Sequence, residues 1–591
     1  MRENFNENSP LIRPTRVADD AASISPLPSV LSPEDEDDWE NGPSRQESKS
    51  SLYLFLLTVA IGGLQICWSV ELAYGSPYLL GLGLSKSLLA FVWIAGPLSG
   101  TLVQPYVGVK SDRCRLKMGK RRPFMIGGAI ATILSLFCLA WAKEIIATIL
   151  GIFGIDKEAK AVNTVSIIFA VSLIYVLDFA INVIQAAVRA FIVDNAPAHQ
   201  QNDANAWASR ISGVGNILGY ISGYVDLPKI LPFLGNTQFK VLCVIACLAL
   251  GLTVTLSAST IRERDPNLDG ELAPQKGGLI SFFVGLYHSI RRLPPQVMRV
   301  CQVQFFAWIG WFPFLFYTTT FVAEIYADPY FKENPNLTSA EIDEIWNRGT
   351  RVASFSLLIF AITTFASSVF LPLFIQPTFS PPTPPLKTPL TPAGLTPGSY
   401  SAPMDYFGGS SKRKRGFFKR ALSAMPSLRI PGFTIRRLYI ISHLLFTLAT
   451  FLTPLVHTPT AATALVAFIG IPWAVTNWAP YAIIAAEIGK RDAIRRGVIR
   501  PAAHDREARL LAEGEDPSDG ADQAGVVLGI HNVAIAAPQV IATLVSSAIF
   551  KLLQKPRGQP GDDSVGWVLR FGGVAAIGAA LLARRIHEES G

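Results

Sequence analysis

Four residues in the stretch Asn163 to Asp194, NTVSIIFAVSLIYVLDFAINVIQAAVRAFIVD, have the types and spacing of a chemical site. Asn182, Gln185 and Arg189 follow Asp178 at offsets of 4, 7 and 11, and at about 100° per residue these offsets return to within about 40° of one another on a helix. They form one polar stripe on a segment otherwise apolar enough for a membrane. A carboxylate near the middle of a bilayer costs several kcal/mol unless it is paired, protonated or facing a cavity. An aspartate kept for helix packing alone is the plainer account, yet such packing uses Ser, Thr or a single amide. The stripe reads as a site for a proton and a polar ligand.

The elements that must position it are membrane helices. Half of the 591 residues are apolar and 16% are charged, with a mean hydropathy of +0.34, the composition of a polytopic membrane protein. Apolar runs of about 20 residues fall at 53–75, 88–109, 123–142, 164–186, 207–225, 239–258, 299–322, 352–376, 437–456, 460–485, 524–550 and 565–584. These twelve spans predict an all-α bundle. Connections after the even-numbered spans carry about three times as many Lys and Arg as those after the odd ones, which places both termini in the cytosol. The sequon Asn336-Leu337-Thr338 follows the seventh span, on the side this topology makes external.

The first span offers a second carboxylate. Trp68, Glu71, Tyr74 and Tyr78 share one face of a regular helix, and aromatic faces beside acceptors suit sugars, whose C–H faces stack while their hydroxyls hydrogen-bond. The alternative is an interfacial aromatic belt with Glu71 near the outer surface. In the eleventh span His531, Asn532 and Gln539 are polar among small apolar residues. Asn532 and Gln539 face together, either lining a cavity or pinning helix to helix. The aromatic run at 305–314 reads as packing.

Between the second and third spans lies GVKSDRCRLKMGKRRP, at 108–123. Glycines for close turns, Asp112 beside Arg113, and the cationic run with Arg121 and Arg122 suit an inner gate. This loop resembles the signature loop of the major facilitator superfamily in its sugar-symporter variant. The stretch around Asp178 resembles the sucrose and α-glucoside proton symporters of the glycoside-pentoside-hexuronide group, in which an Asp is followed by Asn, Gln and Arg at these offsets. GPLSGTLVQPYVG at 96–108, NAWASR at 205–210, QFFAWIGWFPFLFY at 304–317, GIPWAVTNWAPYAIIAAEI at 470–488 and GVVLGIHNVAIAAPQVIATL at 525–544 extend the resemblance. The match is nearer to fungal members than to the plant branch. Two departures from plant members are Ala186-Ala187 in place of Gly-Pro and Ser85-Lys86 where a His is common.

The connection taken as 187–206 holds Asp194, about 160° around the helix from Asp178, where it pairs with basic groups at the inner surface rather than joining the stripe. The chain then divides into a disordered cytosolic tail 1–52, a six-helix half 53–258, a central loop 259–298, a second half 299–585 and a tail 586–591. The second half is interrupted by an insertion at 377–436, rich first in Thr-Pro and then in Lys and Arg. The resemblance implies pseudo-symmetry between the halves. An acidic stretch, SPEDEDDWE, and the lack of an apolar run argue against a cleaved signal peptide at the start.

Several classes are excluded. The net charge of +8 lies in the inward loops, so no nucleic-acid partner is implied. Six cysteines without metal-ligand spacing imply neither disulfides nor a metal. No Walker, HExxH, GxSxG or DFG-like pattern points to ATP use or to an enzyme. The resulting expectation is a twelve-helix bundle of major-facilitator type, in two six-helix halves, that imports a disaccharide glycoside of the sucrose or maltose type with protons. A non-transporting sugar sensor and an uncoupled facilitator are the alternatives. Asp178, Arg189 and Glu71 are assigned to proton coupling. Trp68, Tyr74, Asn182, Gln185, Asn532 and Gln539 are assigned to the substrate, and Asp112, Arg113, Arg121 and Arg122 to gating. The partners are the sugar, the proton and the lipid bilayer; the proton is the coupling ion and no cofactor is expected. The protein is expected as a monomer in the plasma or vacuolar membrane.

Overall fold

Long apolar runs leave the backbone no hydrogen-bond partner in lipid except itself, so each becomes a helix. A computed structural model describes residues 48–197, 200–263, 293–375, 430–495 and 524–587, with five positions between 284 and 291. Most of the expected tail 1–52, the central loop and the insertion 377–436 lies outside the described residues.

Every regular element among the described residues is helical. The long helices are α1 (Ser51–Gly81), α2 (Lys86–Val92 continuing as Ala95–Asp112), α3 (Arg122–Ala140), α4 (Lys160–Asn195), α5 (Gln201–Tyr224) and α6 (Gln238–Thr260). The second set is α7 (Pro295–Glu333), α8 (Ser339–Phe370), α9 (Ile435–Phe451), α10 (Pro459–Arg495), α11 (Ala524–Leu553) and α12 (Ser564–Ala583). Each expected span has its helix. Eleven are long and apolar enough to cross a membrane. The exception is α5, whose QNDANAWASR start lowers its hydropathy.

Within the first half α1 packs on α5 and α6, and α4 on α2 and α3; within the second α7 packs on α8, α11 and α12, and α8 on α10. The halves meet through α2 with α11, α5 with α8, and α1 with α7. The face bearing the loop 113–121 is called the basic face below.

Three boundaries differ from the apolar windows, each because polar turns continue a helix beyond its apolar run. Helix α4 runs on to Asn195, so Asp194 is helical rather than in a loop. Helix α7 extends to Glu333 and α8 starts at Ser339, leaving 334–338 between them. A capping box sets that start: Thr338 Oγ1 accepts from Glu341 N, and the Glu341 carboxylate accepts from Thr338 N. Asn336 of the sequon is exposed in this connection.

Helix α1 departs more consequentially. Glu71–Gly75 forms a π turn, and its wider turn breaks the regular 100° spacing that puts Trp68, Glu71, Tyr74 and Tyr78 on one face. The shared face does not exist. Trp68 and Glu71 turn toward α4, Tyr74 toward α5, and Tyr78 toward α3 and α6.

Candidate functional site

The stripe on α4 survives because α4 is regular throughout. Asp178 is fully buried and Asn182 nearly so, Gln185 is half-buried, and Arg189 is exposed. Burial therefore falls along the stripe toward the basic face.

Helix α2 closes one side with small residues. A methyl on Gly96 would lie 3.5 Å from Asp178 Oδ1, and one on Gly100 3.7 Å from Asn182 Oδ1, so backbone borders the polar groups. Asn182 is the hub of this contact. Its Nδ2 donates to Ser99 Oγ at 2.9 Å and to the Asp178 carbonyl at 2.9 Å, and its Oδ1 accepts from Gln104 Nε2 at 2.7 Å. Both donors and one of the two acceptor sites of the amide are thus taken by helix contacts in this conformation.

The other side is α1. Trp68 Nε1 donates to Gln185 Oε1 at 3.3 Å. Glu71 is 4% exposed and its carboxyl interacts directly with that of Asp178. Neither carboxyl accepts a hydrogen bond from an N–H or hydroxyl donor among the described residues. This excludes the position of Glu71 in an interfacial belt: it lies in the core, on the same α4 side of α1 as Trp68 one turn earlier. A charged pair of this kind is a poor structural element, since two adjacent anions without a cation repel in an apolar interior.

Arg189 lies apart, with no hydrogen bond or ion pair among the described residues. Tyr74 donates its hydroxyl to the Gly223 carbonyl on α5 and is buried at that seam. In the second half Asn532 Nδ2 donates to the Gly100 carbonyl at 3.1 Å, pinning α11 to α2 beside the stripe. Gln539 donates to its own helix, at the Ile535 carbonyl. Near Asn532, His531 Nε2 is 3.4 Å from Gln304 Nε2, and Tyr481 meets the His531 ring edge to face.

On the basic face Arg121 is buried and its Nε donates to Asp194 Oδ2 at 2.7 Å, the surface pairing expected for Asp194. Glu263 accepts from the backbone N–H groups of Lys120, Arg121 and Arg122 at the start of α3. Gly119, at φ +119°, permits that approach, because a side chain there would strike the Glu263 carboxylate. Arg122 reaches the Ile261 carbonyl. Arg113 is half-buried, and the side chain of Asp112 lies outside the described residues.

Sequence reasoning missed Ser99, Gln104 and Gln65 as partners. Gln65 Nε2 donates to Asn216 Oδ1 at 2.8 Å across α1 and α5. Two glutamines inside apolar spans were the available signal.

Comparison with known proteins supplies an independent line. The family profile "MFS/sugar transport protein" matches residues 59–324. The chain is 37% identical over 561 residues to the general alpha-glucoside permease of Schizosaccharomyces pombe, covering 91% of this chain and 94% of the permease. It is 30% identical over 326 residues to the sucrose transport protein SUT5 of Oryza sativa subsp. indica, covering 52% of this chain and 58% of that one. Among solved structures, a partially occluded inward-open form of the xylose transporter XylE from E. coli matches with a TM-score of 0.51 at 12% identity, covering 91% of this chain and all of that one. At that identity the likeness concerns the fold alone.

Proposed function

We propose, from the premise that this chain belongs to the MFS/sugar transport protein family and is a multi-pass membrane transporter rather than an enzyme, that it is a proton-coupled symporter of α-glucoside disaccharides of the sucrose or maltose type. The observation that carries the coupling is the carboxyl pair of Glu71 and Asp178, buried together without another donor. The substrate class rests on the names of the two relatives, an alpha-glucoside permease and a sucrose transport protein.

The chemistry follows from desolvation. Two carboxyls sealed together hold a proton between them, because two adjacent charges in a low dielectric are far costlier than one. Opening the site to water on either side removes that constraint and lets the pair exchange its proton. With the site open outward, the pair loads from the more acidic side. Closing the halves then requires the pair to be neutralised, so the empty, doubly ionised carrier closes poorly. With the site open toward the cytosol the proton leaves.

The sugar's hydroxyls meet Gln185, Trp68 and Arg189, which continue the stripe from the carboxyl pair toward the basic face. Asn182, held in this conformation by α2, is freed to join them when α2 moves. On this reading the basic face is cytosolic, both ends of the bundle lie on that side, and the membrane is the plasma membrane. Full-length protein in liposomes, given labelled sucrose or maltose with simultaneous recording of internal pH, tests it. Sugar entry with matched acidification is expected. Sugar entry without a pH change makes the protein an uncoupled facilitator, and binding without entry makes it a sensor.

A further inference from the structure

The face opposite the basic loops carries a cavity of about 990 Å3, bounded by Ser85 and Lys86 from the first half and by residues of α7, α8 and the connection between α11 and α12 from the second. At its floor stands a cation with two anions. Lys86 Nζ contacts the carboxylate of Glu324 on α7, Asp562 Oδ2 at 2.7 Å and Ser564 Oγ at 3.2 Å. All three side chains are about nine-tenths buried or more.

The donor belongs to one half and every acceptor to the other. Lys86 is also the first residue of α2, after the cap Ser85, where the partial positive charge of a helix N-terminus disfavours a cation. Its position has to be compensated from outside its own half. Around it the same seam is closed by neutral bonds: Ser547 Oγ donates to the Ser87 carbonyl at 3.0 Å, Ser76 Oγ to the Phe316 carbonyl at 2.8 Å, and Thr319 Oγ1 to the Leu72 carbonyl at 3.1 Å. These lose little when water replaces them. The ion cluster loses more on the way, because its charges give up close attraction in a dry seam and stand uncompensated until water reaches them.

The two anions are not equivalent. Asp562 also accepts from Lys555 N at 3.0 Å and Ser564 N at 2.9 Å, donors that remain with it if Lys86 departs. Burial works against its charge, but the Lys86 ammonium and the hydrogen bonds from Ser564 hold its carboxyl below the usual carboxylate range. Glu324 has Lys86 as its donor and no second one among the described residues. Separation of the halves leaves Glu324 without a donor until water reaches it, and that raises the barrier to opening.

We infer that Lys86, through Glu324 and Asp562, is the positioning residue of the outer gate, holding the first half against the second until the external face opens. The inference rests on the transport function proposed for this chain for which face is external and for the opening of that face. It assigns the three residues no part in recognising sugar or carrying the coupled proton.

The test is a thiol reporter in the seam. Ser547 is 5% exposed and belongs to the neutral bonds beside the cluster, so Ser547→Cys reacts with a membrane-impermeant maleimide only when the seam opens; the parent with its natural cysteines gives the background. Introducing Lys86→Gln is expected to raise the labelling rate at least about tenfold. Glu324→Gln, which leaves Lys86 with Asp562, should raise it less. The double exchange Lys86→Glu with Glu324→Lys again places one cation between two carboxylates, and should return slow labelling. An unchanged rate in both single variants overturns the gate, as does a double exchange that labels like Lys86→Gln. Should Lys86→Gln fail to reach the membrane, the graded comparison of Glu324→Gln with the double exchange decides alone. The labelling needs neither sugar nor a proton gradient, so it stands or falls separately from proton-coupled transport.

Discussion

The carboxyls of Glu71 and Asp178 meet across the contact between α1 and α4, at 4% and 0% exposure, with no N–H or hydroxyl donor to either among the described residues. Trp68, one turn earlier, also faces α4, and the π turn at Glu71–Gly75 parts Glu71 from Tyr74 and Tyr78, which a regular α1 would keep on its face. Both tyrosine hydroxyls are bonded elsewhere, to the Gly223 and Leu139 carbonyls, and the two acids face each other without them.

Asp178→Asn is the direct probe of this pair. The amide fills the same space, cannot ionise and donates a hydrogen bond to Glu71, so the protein should remain as stable as wild type or gain slightly in a detergent melt. Accumulation against a sugar gradient should vanish, while exchange of internal for external sugar persists. Unimpaired uphill uptake by this variant removes Asp178 from the mechanism.

Glu71→Gln should act more mildly, because Asp178 alone can still hold a proton. A shift in the pH dependence of apparent sugar affinity between about pH 5 and 7 is expected, read from initial uptake rates. A profile superimposable on wild type would leave Glu71 as a mere neighbour.

Asp226 should contribute nothing to that profile. Lys229 first and Arg351 also hold its carboxyl below the usual carboxylate range, and the Arg351 pair, at 2.9 Å, joins α8 to the end of α5. For a depressed carboxyl the linked contribution is present above the unpaired value and fades as the pH falls through the lowered one, below about pH 4. Asp226→Asn should therefore move uptake equally at pH 5 and pH 7. A change in the shape of the profile would contradict this.

Asn182 carries three bonds that all depend on its amide. Asn182→Leu leaves Ser99 and Gln104 short of partners in an apolar contact, a loss of about 1–3 kcal/mol. The melting temperature of the purified protein should fall, and a Ser99→Ala change in the same chain should add little further. Full additivity of the two would show that they do not share the contact.

How far these relationships could be read beforehand follows the regularity of each element. The α4 stripe was legible because its helix is uninterrupted for 36 residues, so a fixed angle per residue holds from Asp178 to Arg189. On α1 the same arithmetic failed at one turn, and the aromatic face it predicted dispersed onto α4, α5 and α3. Asp194 was legible as a surface partner because any position about 160° from the stripe faces away from it. Lys86 with Glu324 was not, since the two are 238 positions apart and pairing at that separation leaves no periodic trace. Nor was Ser99, whose hydroxyl looks like any helix-packing serine until Asn182 is placed against it.

Arg189 gives the last prediction. It is eleven positions from Asp178, about 16 Å along the helix, so the guanidinium cannot bond the carboxyl within one regular helix. It also has no partner of its own among the described residues and is exposed at the open end of the stripe, unlike Arg121, which is buried against Asp194. A surface cation serving only the positive-inside rule would be equally well placed as Lys. A cation serving a sugar would not, because the planar fork of five donors engages adjacent hydroxyls in a way an ammonium cannot. Between Arg189 and the carboxyl pair stand Gln185 and Trp68, already joined to each other, so a glycoside spanning the stripe would touch all three and sense the proton only through them. Arg189→Lys should then weaken equilibrium sugar binding by about tenfold or more without lowering the melting temperature. Arg189→Ala should do the same and in addition lose the dependence of sugar affinity on pH. Purified Arg189→Lys protein that binds and transports sugar as wild type does would assign Arg189 to the membrane surface and leave recognition to Gln185 and Trp68.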